Sequence, residues 1–173
     1  IATPHVTQAS FENTPETIGQ AYDTLIREIS NKDININVHH SAEYRIDELF
    51  LSHLADGIIT PMPQNYLLVE NSFIQEPWNL DQLLFDLKIK GYKPILAHPE
   101  RYMYYFTKKE RYNIIHNTGT KFQINLLSLS GYYGKEEKRI ATELIEKGLV
   151  DFVGTDLHNH KQADAIDAYL STN

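Results

Sequence analysis

The chain of 173 residues is long enough for one domain with a sizeable core, and its 42% hydrophobic and 23% charged residues are typical of a globular protein. It contains no cysteine, which excludes disulfides, thiolate zinc sites and cysteine nucleophiles. The net charge of −7, without a basic run, argues against nucleic acid as a partner, and no apolar stretch approaches the roughly 18 residues of a membrane span.

The predicted elements alternate between strands and helices along the whole chain. The first helix has Thr14 as a candidate N-cap and Pro15 in its first turn, and Gly91 and Gly148 are expected to close two later helices. The predicted strands cover residues 1–3, 34–38, 66–69, 94–97, 122–126 and 150–153. The predicted helices cover residues 14–30, 45–54, 79–90, 108–116, 135–147 and 164–170.

This alternation is typical of a parallel β-sheet wrapped by helices. The strands are short and largely apolar, as strands buried on both faces should be. Periodicity alone does not distinguish an open sheet from a closed barrel. The sequence therefore predicts an α/β fold of about six βα units, with its functional site at the C-terminal ends of the strands.

A histidine or a carboxylate follows nearly every predicted strand. In chain order, the polar residues at or near strand ends are His5, His39, His40, Glu43, Glu70, His98, Arg101, Gln123, Asn125, Asp156 and His158. Imidazoles and carboxylates without thiolates suit Zn, Mn or Fe, and more than four candidate ligands indicate more than one ion. Two ions can clamp the attacking and leaving oxygens of a hydrolysis, and an arginine can grip a phosphate.

Each of these residues also has a structural interpretation. On the structural interpretation, His98 would be an ordinary loop residue, Glu70 would be a helix-capping carboxylate, and Glu43 would belong to a solvated face with neighbouring charged residues. Asp156 and His158 are better candidates, because side chains at i and i+2 can point to one ion. Four further histidines are assigned structural or surface roles, namely His39, His53, His116 and His160.

Six stretches together resemble the PHP (polymerase and histidinol phosphatase) superfamily, and within it the CpsB/CapC-like and YwqE-like capsular-polysaccharide protein tyrosine phosphatases. They are IATPHV, HHSAEYRID, NYLLVENSF, ILAHPERY, FQINLLSLSGYYG and DFVGTDLHN, and they span the chain in order. The resemblance implies a distorted (β/α)7 TIM-like barrel formed by one domain over residues 1–173. It also implies a cytoplasmic enzyme that hydrolyses phosphotyrosine on a bacterial tyrosine kinase controlling capsule or exopolysaccharide synthesis.

The resemblance assigns roles to particular residues. Arg101 falls on a phosphate-binding arginine and, with Asp156 and His158, is expected to take part in catalysis. Lys161 stands near the place where many relatives have a second arginine, so it is a weaker candidate for substrate binding. The implied ligands of up to three ions, most often Mn²⁺ with Fe or Zn as alternatives, are His5, Glu43, Glu70, His98, Asp156 and His158.

The family's first strand carries a His-x-His pair and, further on, an Asp, and no counterpart of that strand precedes the IATPHV stretch in these 173 residues. We therefore expect a preceding segment in the whole protein, and only one tight metal site, Glu43–Glu70–His98, in this chain alone. The second ion would use Glu70 and Asp156, and the third His5 and His158, each with missing ligands. Weak hydrolysis and an unpaired barrel edge would follow.

Two other functions are compatible with the same residues. The first is a PHP phosphatase of a small phosphomonoester such as histidinol phosphate, which would use nearly the same ligands; the HPERY and LLSLSGYYG stretches favour the tyrosine phosphatase. The second is a catalytically inactive metal-binding regulatory domain, favoured by the missing first strand. Oligomeric state is open at this point.

Overall fold

Residues 1–172 are described by a computed structural model and alternate between short strands and helices. The strands in this part of the chain are β1 His5–Val6, β2 Glu43–Arg45, β3 Tyr66–Glu70, β4 Lys93–Ala97, β5 Lys121–Asn125 and β6 Phe152–Gly154. The helices are α1 Pro15–Asn31, α2 Glu48–Asp56, α3 Leu80–Ile89, α4 Glu110–Asn117, α5 Leu126–Ser130, α6 Lys135–Glu146 and α7 His160–Ser171. Short 3₁₀ turns lie at Pro63–Asn65, Pro99–Arg101 and Met103–Tyr105.

These elements pack into two compact units. The first unit consists of Ile1–Glu70 and Asp86–Pro94, and the second consists of Asn71–Phe85 and the chain from Ile95 onward. The single domain that the sequence predicts over residues 1–173 stays a prediction.

In the first unit, β1, β2 and β3 lie side by side and run parallel. His5 is opposite Glu43, and Arg45 is opposite Glu70. Because side chains two residues apart on a strand share a face, this register places His5, Glu43, Arg45 and Glu70 on one face of the three strands. The core of this unit includes the fully buried side chains of Val6, Tyr44, Phe50, Leu67, Leu68, Val69 and Leu87.

In the second unit, β4, β5 and β6 are also parallel neighbours. An aromatic core lies beside them, in which Tyr102, Tyr105, Tyr112 and Phe122 make successive edge-to-face contacts 5.4–6.3 Å apart between ring centroids. The phenol of Tyr102 donates to the carbonyl oxygen of Ala97 at 2.9 Å and accepts from the backbone N–H of Asn71 at 2.8 Å. This buried hydroxyl is therefore satisfied on both sides and ties residue 71 to the end of β4.

The sequence signal for the start of the first helix is confirmed. The Thr14 side chain accepts from the N–H of Thr17, the Thr17 hydroxyl accepts from the N–H of Thr14, and Pro15 occupies the first turn of α1. Asp47 caps α2 through the N–H of Phe50 at 3.0 Å, and its second oxygen accepts from the N–H of Gln8 at 2.9 Å. Asp47 therefore also fixes the segment after β1.

Several sequence predictions of secondary structure are wrong. Residues 1–3 do not form a strand, since β1 is His5–Val6, and the helix predicted over 45–54 begins only at Glu48. Residues 34–38 do not form a strand, and the second strand is Glu43–Arg45 instead. The side chains of Ile34 and Ile36 are more than half exposed, so their alternation does not correspond to a face covered by the core. The short helix α5 was not predicted, because five residues are too few to show a helical period.

The segment between β3 and α3, residues 71–79, is held by side chains of its own unit. Arg111 on α4 donates to Glu76 through Nε at 2.7 Å and also through Nη2, and it donates to Asp81 through Nη1 at 3.1 Å and Nη2 at 2.7 Å. The phenol of Tyr104 donates to the carbonyl oxygen of Ser72 at 3.0 Å. This anchored segment carries two highly exposed apolar side chains, Ile74 at 87% and Trp78 at 96%.

No helix within residues 1–172 combines the length and the apolar character needed to cross a bilayer.

Candidate functional site

Two carboxylates and a histidine meet on one face of the strands of the first unit. Glu43 and Glu70 are 5% and 3% exposed. The Nδ1 atom of His5 lies 3.5 Å from Oε2 of Glu43 and 3.7 Å from Oε1 of Glu70. One potential ligand atom from each of the three residues lies within 4.8 Å of the others. We call His5, Glu43 and Glu70 the acidic cluster.

The local fold explains this cluster. His5 is paired with Glu43 across β1 and β2, and Glu70 lies two residues beyond Leu68, the partner of Glu43 on β3. Nη1 of Arg45 lies 3.6 Å from Oε1 of Glu70 and supplies one positive charge beside the two carboxylates. The sequence interpretation of Glu43 as part of a solvated face is therefore wrong, because the carboxylate is buried.

The donor set of the acidic cluster fits a divalent cation. It offers one imidazole and two carboxylates without a thiolate, which suits Mn, Fe or Zn. Removing two carboxylates from water is costly unless positive charge accompanies them, so burial at this position favours a bound cation.

In the second unit, Asp156 joins an arginine and an asparagine. Nη1 of Arg101 donates to Oδ2 of Asp156 at 3.0 Å, and Nδ2 of Asn125 donates to the same oxygen at 2.7 Å. Two aromatic rings contact the guanidinium, whose carbon lies 4.1 Å from the ring centroid of Tyr133 and 5.0 Å from that of Phe73. We call Arg101, Asp156, Asn125, Phe73 and Tyr133 the arginine cluster.

The phenol of Tyr133 remains neutral in this environment. Burial raises its pKa, and the charge of Asp156 raises it further, while Arg101 opposes the shift. Tyr133 therefore acts on Arg101 through its ring and not as an anion.

His98 lies at the end of β4, in a strained and buried conformation. It is 2% exposed, and its φ of 34° and ψ of 53° place a residue other than glycine in the left-handed region. Its backbone N–H donates to the carbonyl oxygen of Gln123 at 2.6 Å, and its ring stacks on Phe73 at 5.4 Å between centroids. Such strain persists only where neighbours fix the backbone, and it often marks a functional position.

The turn that follows His98 is fixed by the buried Glu100. Its Oε1 accepts from the backbone N–H of Asn125 at 2.9 Å and from the hydroxyl of Ser128 at 2.6 Å. Burial raises the pKa of this carboxyl, and the hydrogen bonds from Ser128 and Asn125 oppose the shift. Glu100 thereby connects the turn that carries Arg101 to the end of β5 that carries Asn125.

Asp156 and His158 follow β6 and interact locally. Asp156 has a left-handed φ of 49°, and its carbonyl oxygen lies 2.9 Å from Nδ1 of the exposed His158. Because a carbonyl oxygen only accepts, Nδ1 carries the proton, and the lone pair of the imidazole is then on Nε2, the atom that can ligate a metal. Lys161 is exposed in the first turn of α7.

The structure thus brings together His5, Glu43 and Glu70 in the first unit, and Arg101 and Asp156 in the second. The ligand assignments that the resemblance implies, including Glu43–Glu70–His98 for one ion, stay predictions. The sequence analysis assigned no functional role to Arg45, Phe73, Asn125 or Tyr133. Three of them could have been found from it: Asn125 stands at the end of a predicted strand, Phe73 belongs to the NYLLVENSF stretch, and Tyr133 belongs to the FQINLLSLSGYYG stretch.

Comparison with known proteins gives consistent matches. The chain is 33% identical over 162 residues to the tyrosine-protein phosphatase YwqE of Bacillus subtilis (strain 168), covering 93% of this chain and 64% of YwqE. It is 26% identical over 166 residues to the tyrosine-protein phosphatase CpsB of Streptococcus agalactiae serotype V, covering 92% of this chain and 68% of that protein. The chain therefore spans just under two thirds of the length of YwqE.

The fold agrees with a solved structure as well. A chain from the crystal structures of YwqE from Bacillus subtilis and CpsB from Streptococcus pneumoniae, described as unique metal-dependent tyrosine phosphatases, matches with a TM-score of 0.87 and 31% identity. The match covers 100% of this chain and 72% of that chain. It confirms the predicted fold class, an α/β fold of the distorted TIM-like kind.

The model of one protein family, described as capsular polysaccharide synthesis, CpsB/CapC, matches residues 1–166. With its parallel α/β fold, its acidic cluster and its arginine cluster, the chain belongs to the CpsB/CapC family.

Proposed function

We propose that the protein is a metal-dependent protein tyrosine phosphatase, a phosphoric monoester hydrolase. The acidic cluster is the observation that carries the proposal, because buried carboxylates facing an imidazole are a natural binding site for a divalent ion. The names of its relatives support the same activity. The chain has no cysteine, so the cysteine route to phosphotyrosine hydrolysis is closed to residues 1–173.

The geometry of the residues supports the roles that we propose for them. His5, Glu43 and Glu70 would hold a divalent ion, whose chemistry would be that of a Lewis acid that lowers the pKa of a bound water. Arg101 donates parallel hydrogen bonds to the phosphate of the substrate and stabilises its charge. Asn125 and Arg101 both donate to Oδ2 of Asp156, so Oδ1, which lies 3.5 Å from Nδ1 of His158, would be the oxygen of that carboxylate with a ligand role.

Finer points of the proposal rest on the resemblance. Mn²⁺ is the proposed metal, with up to three ions in the complete protein, and His98, Asp156 and His158 are further proposed ligands. Lys161 is a proposed second cation for the substrate. The proposed substrate is the phosphotyrosine tail of a bacterial tyrosine kinase that regulates capsule synthesis, and the proposed compartment is the cytoplasm. Residues 1–173 are proposed to form one PHP-type domain.

The test compares two substrates on the manganese-loaded full-length protein. Turnover of a phosphotyrosine peptide should exceed turnover of histidinol phosphate. It should disappear after exhaustive chelation, return with Mn²⁺ and be indifferent to thiol alkylation. Preference for histidinol phosphate would reject the substrate, and full activity after confirmed metal removal would reject the metal-dependent chemistry.

A further inference from the structure

We infer that Phe73 and Tyr133 are positioning residues that orient the guanidinium of Arg101, so that its Nε and Nη2 edge meets the phosphate of the substrate. The inference rests on the proposed function, since it concerns how the same enzyme grips its substrate. It assigns a role to two aromatic residues that the sequence alone did not single out.

The hydrogen bonds of Arg101 determine which edge is available. Nη1 donates to Oδ2 of Asp156 at 3.0 Å, and the backbone N–H of Arg101 donates to the carbonyl oxygen of His98 at 2.9 Å. Within residues 1–172, Nε and Nη2 make no hydrogen bond. These two atoms form the side-on fork of a guanidinium, which matches two oxygens of a phosphate.

The aromatic rings account for the orientation of that fork. The carbon at the centre of the guanidinium lies over the ring of Tyr133 at 4.1 Å and over the ring of Phe73 at 5.0 Å. Contact with a ring attracts the cation and covers its flat surface, while the N–H groups at its edge remain able to donate. Asp156 holds one corner, so the rings and the carboxylate together restrict rotation about the long side chain.

Both rings are themselves held in place. Phe73 stacks on His98 with an angle of 12° between the ring planes, and the neighbouring residues of its segment are bound by Tyr102 and Tyr104. The ring of Tyr133 contacts that of Tyr132 edge to face at 5.3 Å between centroids. A guanidinium resting on fixed rings loses less rotational freedom when it binds phosphate than a free one does, so the grip is preorganised.

The experiment is a double-mutant cycle on phosphate binding. The affinity of inorganic phosphate for the manganese-loaded full-length protein is measured by calorimetry, with metal content and circular dichroism checked for every variant. Tyr133→Leu and Phe73→Leu should each weaken binding by about 3- to 10-fold, the range of a partly buried cation–π contact. Tyr133→Phe keeps the ring and should restore affinity to within about twofold of the starting protein.

The cycle separates a role through Arg101 from a general structural role. In an Arg101→Ala background, Tyr133→Leu and Phe73→Leu should have no further effect, because the group they position is gone. Phe85→Leu, which changes an exposed phenylalanine of the same unit, is the matched control and should leave affinity unchanged. The two ring variants test the inference independently, so a folding failure of one leaves the other informative.

The outcomes are distinct from those of the proposed function. Ring variants that weaken phosphate equally with and without Arg101, ring variants with no effect, or a starting protein that binds no phosphate would each overturn the inference. If the ring variants weaken phosphate binding only when Arg101 is present, but the protein does not hydrolyse phosphotyrosine, the inference stands and the proposed function is rejected. If the protein hydrolyses phosphotyrosine but the effect of the ring variants does not depend on Arg101, the proposed function stands and the inference is rejected.

Discussion

The acidic cluster and the arginine cluster satisfy their charges in different ways. In the acidic cluster, His5 stands 3.5 and 3.7 Å from the two glutamates, farther than a normal hydrogen bond. In the arginine cluster, Asp156 accepts hydrogen bonds of 3.0 and 2.7 Å. The first arrangement spaces its groups as ligands are spaced around a central ion, whereas the second bonds its groups directly to each other.

The difference indicates that burial determines what the acidic cluster can bind, whereas the orientation of Arg101 determines what the arginine cluster can bind. Glu43 and Glu70 are nearly inaccessible, so two carboxylates buried there would favour a bound cation. Arg101 is already balanced by Asp156, so its contribution depends on where its remaining donors point. Changes in the acidic cluster should therefore alter metal content, whereas changes to Arg101, Phe73 or Tyr133 should alter activity at constant metal content.

The largest expected effect is that of Glu70→Gln. Loss of this carboxylate removes a ligand and a charge, so metal content should fall and activity should drop on the order of 10³-fold, equivalent to about 4 kcal/mol of barrier. Elemental analysis and a phosphatase assay check it, and Mn²⁺ should raise the melting temperature of the starting protein more than that of the variant. The exposed Glu110→Gln is the control; normal metal content and activity in Glu70→Gln would contradict a ligand role.

Arg101→Ala should have the next largest effect. Metal content should stay intact while activity falls on the order of 10²-fold, the scale of losing one charged donor to the transition state. Arg101→Lys should recover only part of that loss, because an ammonium lacks the two-pronged geometry. The same two assays check this result, and full activity at normal metal content would show that Arg101 does not bind the phosphate.

A smaller effect is expected from Arg111→Met, which removes the ion pairs with Glu76 and Asp81. The segment that carries Phe73 would loosen, and kcat/KM should fall about 5- to 10-fold through misplacement of the groups that orient Arg101. Limited proteolysis should cut this segment faster in the variant. Arg139→Met, whose ion pairs lie along exposed α6, is the matched control. Equal losses in the two variants would rule out a specific role for the anchor.

Asp151→Asn should leave activity unchanged and affect only stability. Burial alone would raise the pKa of Asp151, but hydrogen bonds from Lys121, from the N–H of Phe122 and from His116 outweigh it and hold the pKa below its ordinary value. A lowered pKa in the folded state stabilises the protein above the ordinary pKa of about 3.9, and this contribution is lost as the pH falls further.

Chemical denaturation at two pH values checks that prediction. At pH 7 the variant should be less stable by about 1–2 kcal/mol, and near pH 3 most of the difference should vanish. A destabilisation that does not change with pH would indicate lost packing and not lost charge.

The sequence predicted which polar residues come together better than it predicted the strands that carry them. Glu70 ends its strand as expected, whereas His5 and Glu43 begin β1 and β2, and the register of β1 to β3 brings all three onto one face. Residues 34–38 were predicted as a strand because apolar and polar side chains alternate there. Such alternation identifies a strand only when the core covers one of its faces. The contacts of Arg101 with Phe73 and Tyr133 join residues 28 and 32 positions away, and no local pattern encodes them.

The exposure of Trp78 makes it a built-in spectroscopic probe. It is the only tryptophan among the 173 residues, and its side chain is 96% exposed on the segment that Arg111 anchors. Its fluorescence should resemble that of an indole in water and be quenched efficiently by iodide. A molecule that covers this segment would shift the emission of Trp78 to shorter wavelength and protect it from the quencher, so a label-free titration of a chain of these 173 residues can follow binding at the segment.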